Sequence, residues 1–114
     1  KTIFIKNIEN EDFLKLLNNS SCIIGNSSVG IRESSFLGIP NVNIGSRQNN
    51  RERGKNTIQC DGNWKKILKY IKIQMGRKKY PSSTLYGDGN SAKKILNIVL
   101  KLNIKSTQKK LFYG

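Results

Sequence analysis

Gly25-Asn26-Ser27-Ser28-Val29-Gly30-Ile31-Arg32-Glu33 leaves a short apolar run, Cys22 to Gly25, and opens a stretch of helical character that stops at Gly38 and Pro40. Glycine readily takes the left-handed cap and proline cannot extend the hydrogen-bond ladder, so both residues punctuate a helix end. The spacing predicts a strand over Cys22 to Gly25 and a helix from about Val29 to Leu37. A strand feeding a helix through a Gly- and Ser-rich loop is the junction from which parallel α/β sheets are built.

The alternation continues on both sides. Thr2 to Lys6 reads as a strand. Glu11 to Asn19, with Phe13, Leu16 and Leu17 at i, i+3 and i+4, reads as a helix capped by Asn10. Asn41 to Ile44 and Asn56 to Cys60 read as two further short strands. Trp64, Ile67, Leu68, Ile71 and Met75 form a helical stripe, with Lys65, Lys66, Lys69 and Lys72 on the wet side. Tyr80-Pro81-Ser82-Ser83 and Tyr86-Gly87-Asp88-Gly89-Asn90 read as turns, with Asp88 or Asn90 capping a last helix marked by Ala92, Ile95, Leu96, Val99 and Leu102. The expected fold is α/β, a Rossmann-like parallel sheet flanked by helices over residues 1–104, followed by a polar tail, 105–114, that ends in Leu111-Phe112-Tyr113.

Three features of this frame bear on chemistry. The Ser27-Ser28 loop sits where a helix start presents unpaired N–H groups and a positive dipole end, so phosphate placed there gains hydrogen bonds and favourable electrostatics. Ser27 and Ser28 add hydroxyls, and Gly30 would let a ligand approach the backbone closely. The alternative is that one serine merely caps the helix. Glu33, about one turn further on, lies where a ribose would follow a phosphate, although a carboxylate there also complements the dipole. The third feature is Gly45-Ser46-Arg47-Gln48-Asn49-Asn50-Arg51-Glu52-Arg53-Gly54, in which three of the chain's five arginines fall within seven positions. Arg47, nearest the strand end, is the candidate phosphate ligand; the alternative is a solvated loop with ion pairs to Glu52.

Composition narrows the partners. With 21 Lys plus Arg against 7 Asp plus Glu, the formal net charge is +14. Sixteen of those cations are Lys, and Ile, Lys and Asn together make up 45 of 114 residues while Ala occurs once, as A/T-rich coding produces. A phosphate-gripping protein would favour Arg, whose fork meets phosphate oxygens in two places, so the charge reads as a solvated surface and a nucleic-acid partner is not expected. No apolar run approaches the roughly 20 residues of a membrane span. The chain has 2 Cys and 0 His, so a zinc site is not expected and no cofactor is implied. Two unpaired thiols, each bounding an apolar run, fit buried core positions and a cytoplasmic setting. Lys1 stands almost directly before the apolar run Ile3-Phe4-Ile5, from which the chain is expected to be part of something longer.

Gly25 to Glu33, Gly38-Ile39-Pro40, Val42-Asn43-Ile44-Gly45-Ser46-Arg47-Gln48, Arg51-Glu52-Arg53-Gly54 and Tyr86-Gly87-Asp88-Gly89-Asn90 occur in the order found in the hydrolysing UDP-N-acetylglucosamine 2-epimerases, and the chain resembles that family from about Phe4 to Phe112. Gln108-Lys109-Lys110-Leu111-Phe112 is similar to the end of the epimerase part of the animal bifunctional epimerase/kinase. The resemblance implies the C-terminal, nucleotide-holding half of a glycosyltransferase-B-type fold. It also implies an activity that eliminates UDP across C1 and C2 of the sugar, then hydrates the glycal to N-acetylmannosamine, a precursor of sialic acid. It places Ser27 and Ser28 on the diphosphate, Glu33 on the ribose, Arg47 on the phosphate side, and the loop near Ile8 against the uracil. The family's acid–base carboxylates and histidine lie upstream of the matching stretch. The implied partners are therefore UDP-N-acetylglucosamine or UDP, an N-terminal domain and, for the intact protein, further copies of itself. The chain alone is expected to be inert.

Two residues depart from the family pattern: Asn41, where an apolar strand residue is usual, and Asn50, where Gly is usual. Asn tolerates left-handed backbone, so the second is mild. The first questions whether that strand is buried on both faces. Two other readings compete with the epimerase: the donor-binding domain of a retaining glycosyltransferase with the same fold, and a basic nucleic-acid-binding module. The second lacks aromatic-studded strands and a reading helix.

Overall fold

The computed structural model describes residues 1–87 and residue 90. The last helix expected through Ala92 and Leu102, a cap at Asp88, and the tail 105–114 lie outside the described residues. Helix α1, Asn10–Asn18, is preceded by Glu9 as its extended N-cap residue, so Asn10 is the first helical residue rather than the cap. Glu11 and Asp12 occupy its first turn, where they complement the dipole, and Glu11 pairs with Lys15 at 3.3 Å. Strand β1 spans Ile23–Gly25. A single 3-10 turn, Ser28–Gly30, precedes the short helix α2, Glu33–Leu37. Strands β2, Asn41–Ile44, and β3, Thr57–Cys60, and helix α3, Trp64–Met75, follow.

The three strands form one parallel sheet in the order β1-β2-β3, with Ile24 opposite Val42 and Val42 opposite Ile58. Parallel neighbours cannot be joined by a tight hairpin, so each connection must travel back along the sheet. The first does so through the 3-10 turn and α2, the second through the irregular segment between Gly45 and Asn56. Helices flank the sheet: α3 packs on β2 and β3, and α2 packs on the 3-10 turn and α1. Asn63 accepts from the N–H groups of Lys65 and Lys66 and so starts α3.

Gly38 closes α2 in the left-handed conformation at φ 72°, and Ile39 N–H returns to Ser34 O at 2.9 Å. A Cβ at Gly38 would also run into the carbonyl of Tyr80, whose N–H donates to Gly38 O at 2.8 Å. The segment at Tyr80 is thus pinned against the end of α2.

Three expectations need correction. The helix expected from Val29 to Leu37 is broken into a 3-10 turn and a five-residue helix, because Ser27 caps the tighter turn that starts at Ser28. Thr2 to Lys6 forms no strand: Phe4 is 93% exposed and Ile3 and Ile5 are also exposed. Apolar alternation provides a face but no ladder, and β1 pairs only with β2 among the described residues. The helical stripe on α3 is rotated, with Trp64 (68% exposed), Leu68 and Met75 facing outward, Ile67 and Ile71 half-buried, and Gln74 fully buried.

Gln74 explains that rotation. Its Nε2 donates to Asn41 O at 2.9 Å and to Asn56 O at 2.8 Å, while its Oε1 accepts from Tyr80 Oη at 2.8 Å. Buried carbonyls at the beginnings of two strands need donors, and one amide supplies both. The surrounding core is unusually polar. Ile31, Ile39, Val42 and Cys60 are buried beside Ser34, Ser35, Asn41, Asn43 and Asn56.

Strand β2 is central and buried on both faces, Asn41 included. Asn41 Nδ2 donates to Thr57 Oγ1 at 3.1 Å and Asn43 Nδ2 to Gln59 Oε1 at 2.7 Å, so each amide nitrogen is met by the residue opposite it on β3. Asn56 Nδ2 donates to Ser34 Oγ at 3.0 Å and to Ile39 O at 2.8 Å, tying β3 to α2 and to the segment leading into β2. Among the described residues, no helix is long and apolar enough to cross a membrane.

Candidate functional site

The carboxyl ends of β1 and β2 each release a polar loop, and the register that sets Gly25 opposite Asn43 makes those loops neighbours. Past that point the pairing with β1 stops while β2 stays joined to β3, with Gly45 N–H donating to Cys60 O at 2.9 Å. The loops are rejoined by a side chain: Gln48, 3% exposed, donates from Nε2 to Asn26 O at 2.8 Å. Arg47, just before Gln48, is exposed next to that clasp, as is Ser27 just after Asn26.

Within the first loop, the donors are largely spent. Ser27 Oγ accepts from Val29 N at 3.3 Å, Gly30 N–H donates to Ser27 O, and Ile31 and Arg32 N–H groups both donate to Ser28 O. Ser27 is therefore a cap, the simpler of its two readings. Ser28 begins that turn and is half-buried; its hydroxyl and the N–H groups of Ser27 and Ser28 are the donors an anion could meet. Gly30 has a different purpose from the one its position suggested. It is buried, and a Cβ on it would lie 2.7 Å from Asn41 Oδ1, so the missing side chain makes room for Asn41 rather than for a ligand.

Glu33 begins α2 and is half-buried. Its Oε2 is buried without a hydrogen-bond partner in the structure. It borders an open cavity of about 370 Å³ with Leu14, Phe36, Leu37 and Tyr86 among its walls. Ser27 lines a separate hollow of about 30 Å³ with Gly25, Gly30 and Asn41. The two residues thus share a loop-and-helix segment but not a cavity.

The second loop folds as successive turns, with Asn49 N–H donating to Ser46 O and Arg51 N–H to Gln48 O, and Asn50 at φ 67°. Asn at that position accepts the left-handed backbone, as expected. Among the described residues no ion pair joins Arg47, Arg51 or Arg53 to Glu52; the ion pairs are Lys15–Glu11 and Lys66–Asp61. The alternative of a loop neutralised by Glu52 is therefore not what the structure has. Glu52 instead offers its backbone carbonyl to Tyr86 Oη, which joins the Tyr86-Gly87 segment to the Arg loop.

Ile8 stands in the exposed segment before α1. Because no strand precedes it, the structure does not place it at a sheet end with the other candidates. Gln48 and Tyr86 are the residues that sequence reasoning passed over. Gln48 lies in a run with hardly any apolar residue, and nothing local to it signals burial.

Both cysteines are free thiols, Cys60 buried and Cys22 partly so; burial pushes the Cys22 thiol up, with a backbone hydrogen bond at Val42 opposing. Among the described residues no group of three or more His, Cys, Asp and Glu is placed to hold a metal ion.

A family model described as UDP-N-acetylglucosamine 2-epimerase matches residues 1–100. The chain belongs to this family. It is similar to UDP-N,N'-diacetylbacillosamine 2-epimerase (hydrolyzing) of Legionella pneumophila, with 34% identity over 102 residues, 90% of this chain and 27% of that protein. It is also 35% identical over 91 residues to UDP-N-acetylglucosamine 2-epimerase of Neisseria meningitidis, covering 80% of this chain and 24% of the relative. A Campylobacter jejuni protein named GDP/UDP-N,N'-diacetylbacillosamine 2-epimerase (hydrolyzing) is 40% identical over 63 residues, 55% of this chain and 16% of that protein. The chain thus spans about a quarter of the length of the first two epimerase relatives.

Proposed function

We propose that this chain is the UDP-holding part of a hydrolysing UDP-N-acetylglucosamine 2-epimerase. The observation that carries the reading is the union of the two polar loops at the carboxyl ends of β1 and β2, closed by Gln48 on Asn26 with Ser28 and Arg47 beside the clasp. A pyrophosphate seated there meets the Ser28 hydroxyl, the N–H groups of Ser27 and Ser28, and the Arg47 guanidinium, whose planar donors suit phosphate oxygens. Glu33, the first residue of α2, accepts from the ribose hydroxyls, which would give its buried oxygen the partner it lacks. Ile8 contributes backbone to the base only if the Thr2 to Lys6 run is drawn into the sheet.

The chemistry proposed for the whole enzyme begins with loss of the proton on C2 and departure of UDP from C1, leaving a glycal. Water then adds across the double bond to give N-acetylmannosamine. This chain supplies the leaving-group side of that reaction: hydrogen bonds and positive charge on the diphosphate stabilise the charge that accumulates as the C1–O bond breaks. Proton transfers belong to groups outside this chain, which has no His.

A second reading keeps the site and changes the sugar. The Legionella relative, which covers most of this chain, is named for UDP-N,N'-diacetylbacillosamine. Incubating the full-length protein with each nucleotide sugar and following UDP release and the free sugar by mass spectrometry distinguishes the two. In calorimetry, Ser28→Ala combined with Glu33→Ala in the full-length protein abolishes measurable UDP binding; unchanged affinity would remove the site assignment.

A further inference from the structure

We infer that Gln48 is a positioning residue, one that holds the arginine loop against the serine loop without itself touching the nucleotide. The inference rests on the UDP-site reading above and adds to it the device that assembles the two halves of the phosphate cradle.

The geometry is specific. Gln48 is 22 residues from Asn26 in sequence, yet its Nε2 lies 2.8 Å from Asn26 O, and it is the hydrogen bond between the two loops among the described residues. Each end of this bond is one residue from a proposed phosphate contact, Arg47 on one side and Ser27 on the other. Backbone pairing between β1 and β2 ends at Gly25 and Asn43, after which β2 is held by β3. Without the clasp, the Arg47 loop keeps its attachment to β3 but loses its lateral register to the Ser27-Ser28 loop. The gap between a long flexible arginine and a short hydroxyl is then set by chain entropy rather than by a bond.

Gln48 Oε1 is buried with no partner in the structure, an arrangement that costs free energy on folding. Asn26 is exposed, so its carbonyl can turn to water if the amide is removed. Asn41, Asn43 and Asn56 bury an unpaired Oδ1 in the same way, so what sets Gln48 apart is where its donor lies, between the two loops.

The test is Gln48→Met in the full-length protein, since Met is close in length and volume but offers no N–H. Isothermal calorimetry is run with UDP and with uridine, alongside thermal unfolding. UDP affinity falls about tenfold, the size of one well-placed hydrogen bond, while uridine affinity and the unfolding temperature are held or the latter rises. In an Arg47→Ala background the same substitution has no further effect on UDP, because the loop then carries nothing to align. Equal losses for UDP and uridine, additive losses with Arg47→Ala, or a fall in unfolding temperature with the affinity loss would mark Gln48 as structural and overturn the inference. Ser28→Ala separates the two levels: if it weakens UDP while Gln48→Met does not, only the clasp is wrong. If Ser28→Ala binds UDP as the parent does, the site and the clasp fall together.

Discussion

Replacing Gln74 by Met tests whether this polar core is held by hydrogen bonds or merely tolerates them. Gln74 is 0% exposed and makes three bonds: to Asn41 O at 2.9 Å, to Asn56 O at 2.8 Å, and from Tyr80 Oη at 2.8 Å. Met has nearly the same length and volume, so the change removes the bonds with little cavity. Each neutral hydrogen bond contributes about 1 kcal/mol net, giving a loss of about 3 kcal/mol for the three. Asn56 O also accepts the N–H of Asn41, which limits the cost at that carbonyl. Urea unfolding followed by circular dichroism reads the change as a lower midpoint at constant slope. Tyr80→Phe removes one of the three bonds and costs about 1 kcal/mol alone, but nothing when added to Gln74→Met. A loss for Gln74→Met below about 1 kcal/mol, the size of a single bond, would refute the reasoning. So would a Tyr80→Phe cost that persists in the Met background. Either result would mean that the apolar residues of α3, not its glutamine, set how the helix docks.

Three further outcomes follow from the same geometry. Gly30→Ala brings a Cβ to 2.7 Å from Asn41 Oδ1 and destabilises by about 1–3 kcal/mol; adding Asn41→Ala recovers part of that loss in chemical unfolding, whereas full additivity would show that the two do not compete for space. The Asp61 carboxyl is held below its ordinary value of 3.8, first by the Asn63 N–H and then by Lys66. A lowered folded value means its contribution is present above that ordinary value and is lost as pH falls through the depressed one, so Asp61→Asn flattens the stability profile below about pH 4 and a profile unchanged there counts against it. Cys22, with its thiol pushed up by burial, reacts with iodoacetamide at neutral pH more slowly than a free cysteine does, and a rate at or above that of the free amino acid is inconsistent with its placement.

Much of the frame is legible from short-range pattern because the forces that set it are local. The helix that begins at Trp64, Gly38 after Leu37, and the Asn-Val-Asn-Ile strand stand in the structure where helical spacing, helix-end punctuation and extended pattern place them. The candidate site is legible in parts: the loops bearing Ser28 and Arg47 could be named from residue chemistry, and the left-handed Asn50 from its tolerance of that backbone. Local pattern failed where an outcome depends on a partner elsewhere in the chain. Thr2 to Lys6 has the alternation of a strand but no ladder beside it, and the apolar stripe of α3 is turned partly outward, with Ile67 and Ile71 only half-buried, because two distant carbonyls claim Gln74.

Sequence by itself therefore determined most of the helical and extended segments and the family they belong to, since caps, turn residues and ordered motifs are properties of neighbours along the chain. Only the tertiary structure decided that Gly30 yields space to Asn41, that Glu33 and Ser27 border different cavities, and that Gln48 closes one loop on another. Those facts turn on how residues from different elements pack and on which buried polar groups meet, which neighbours along the chain do not reveal.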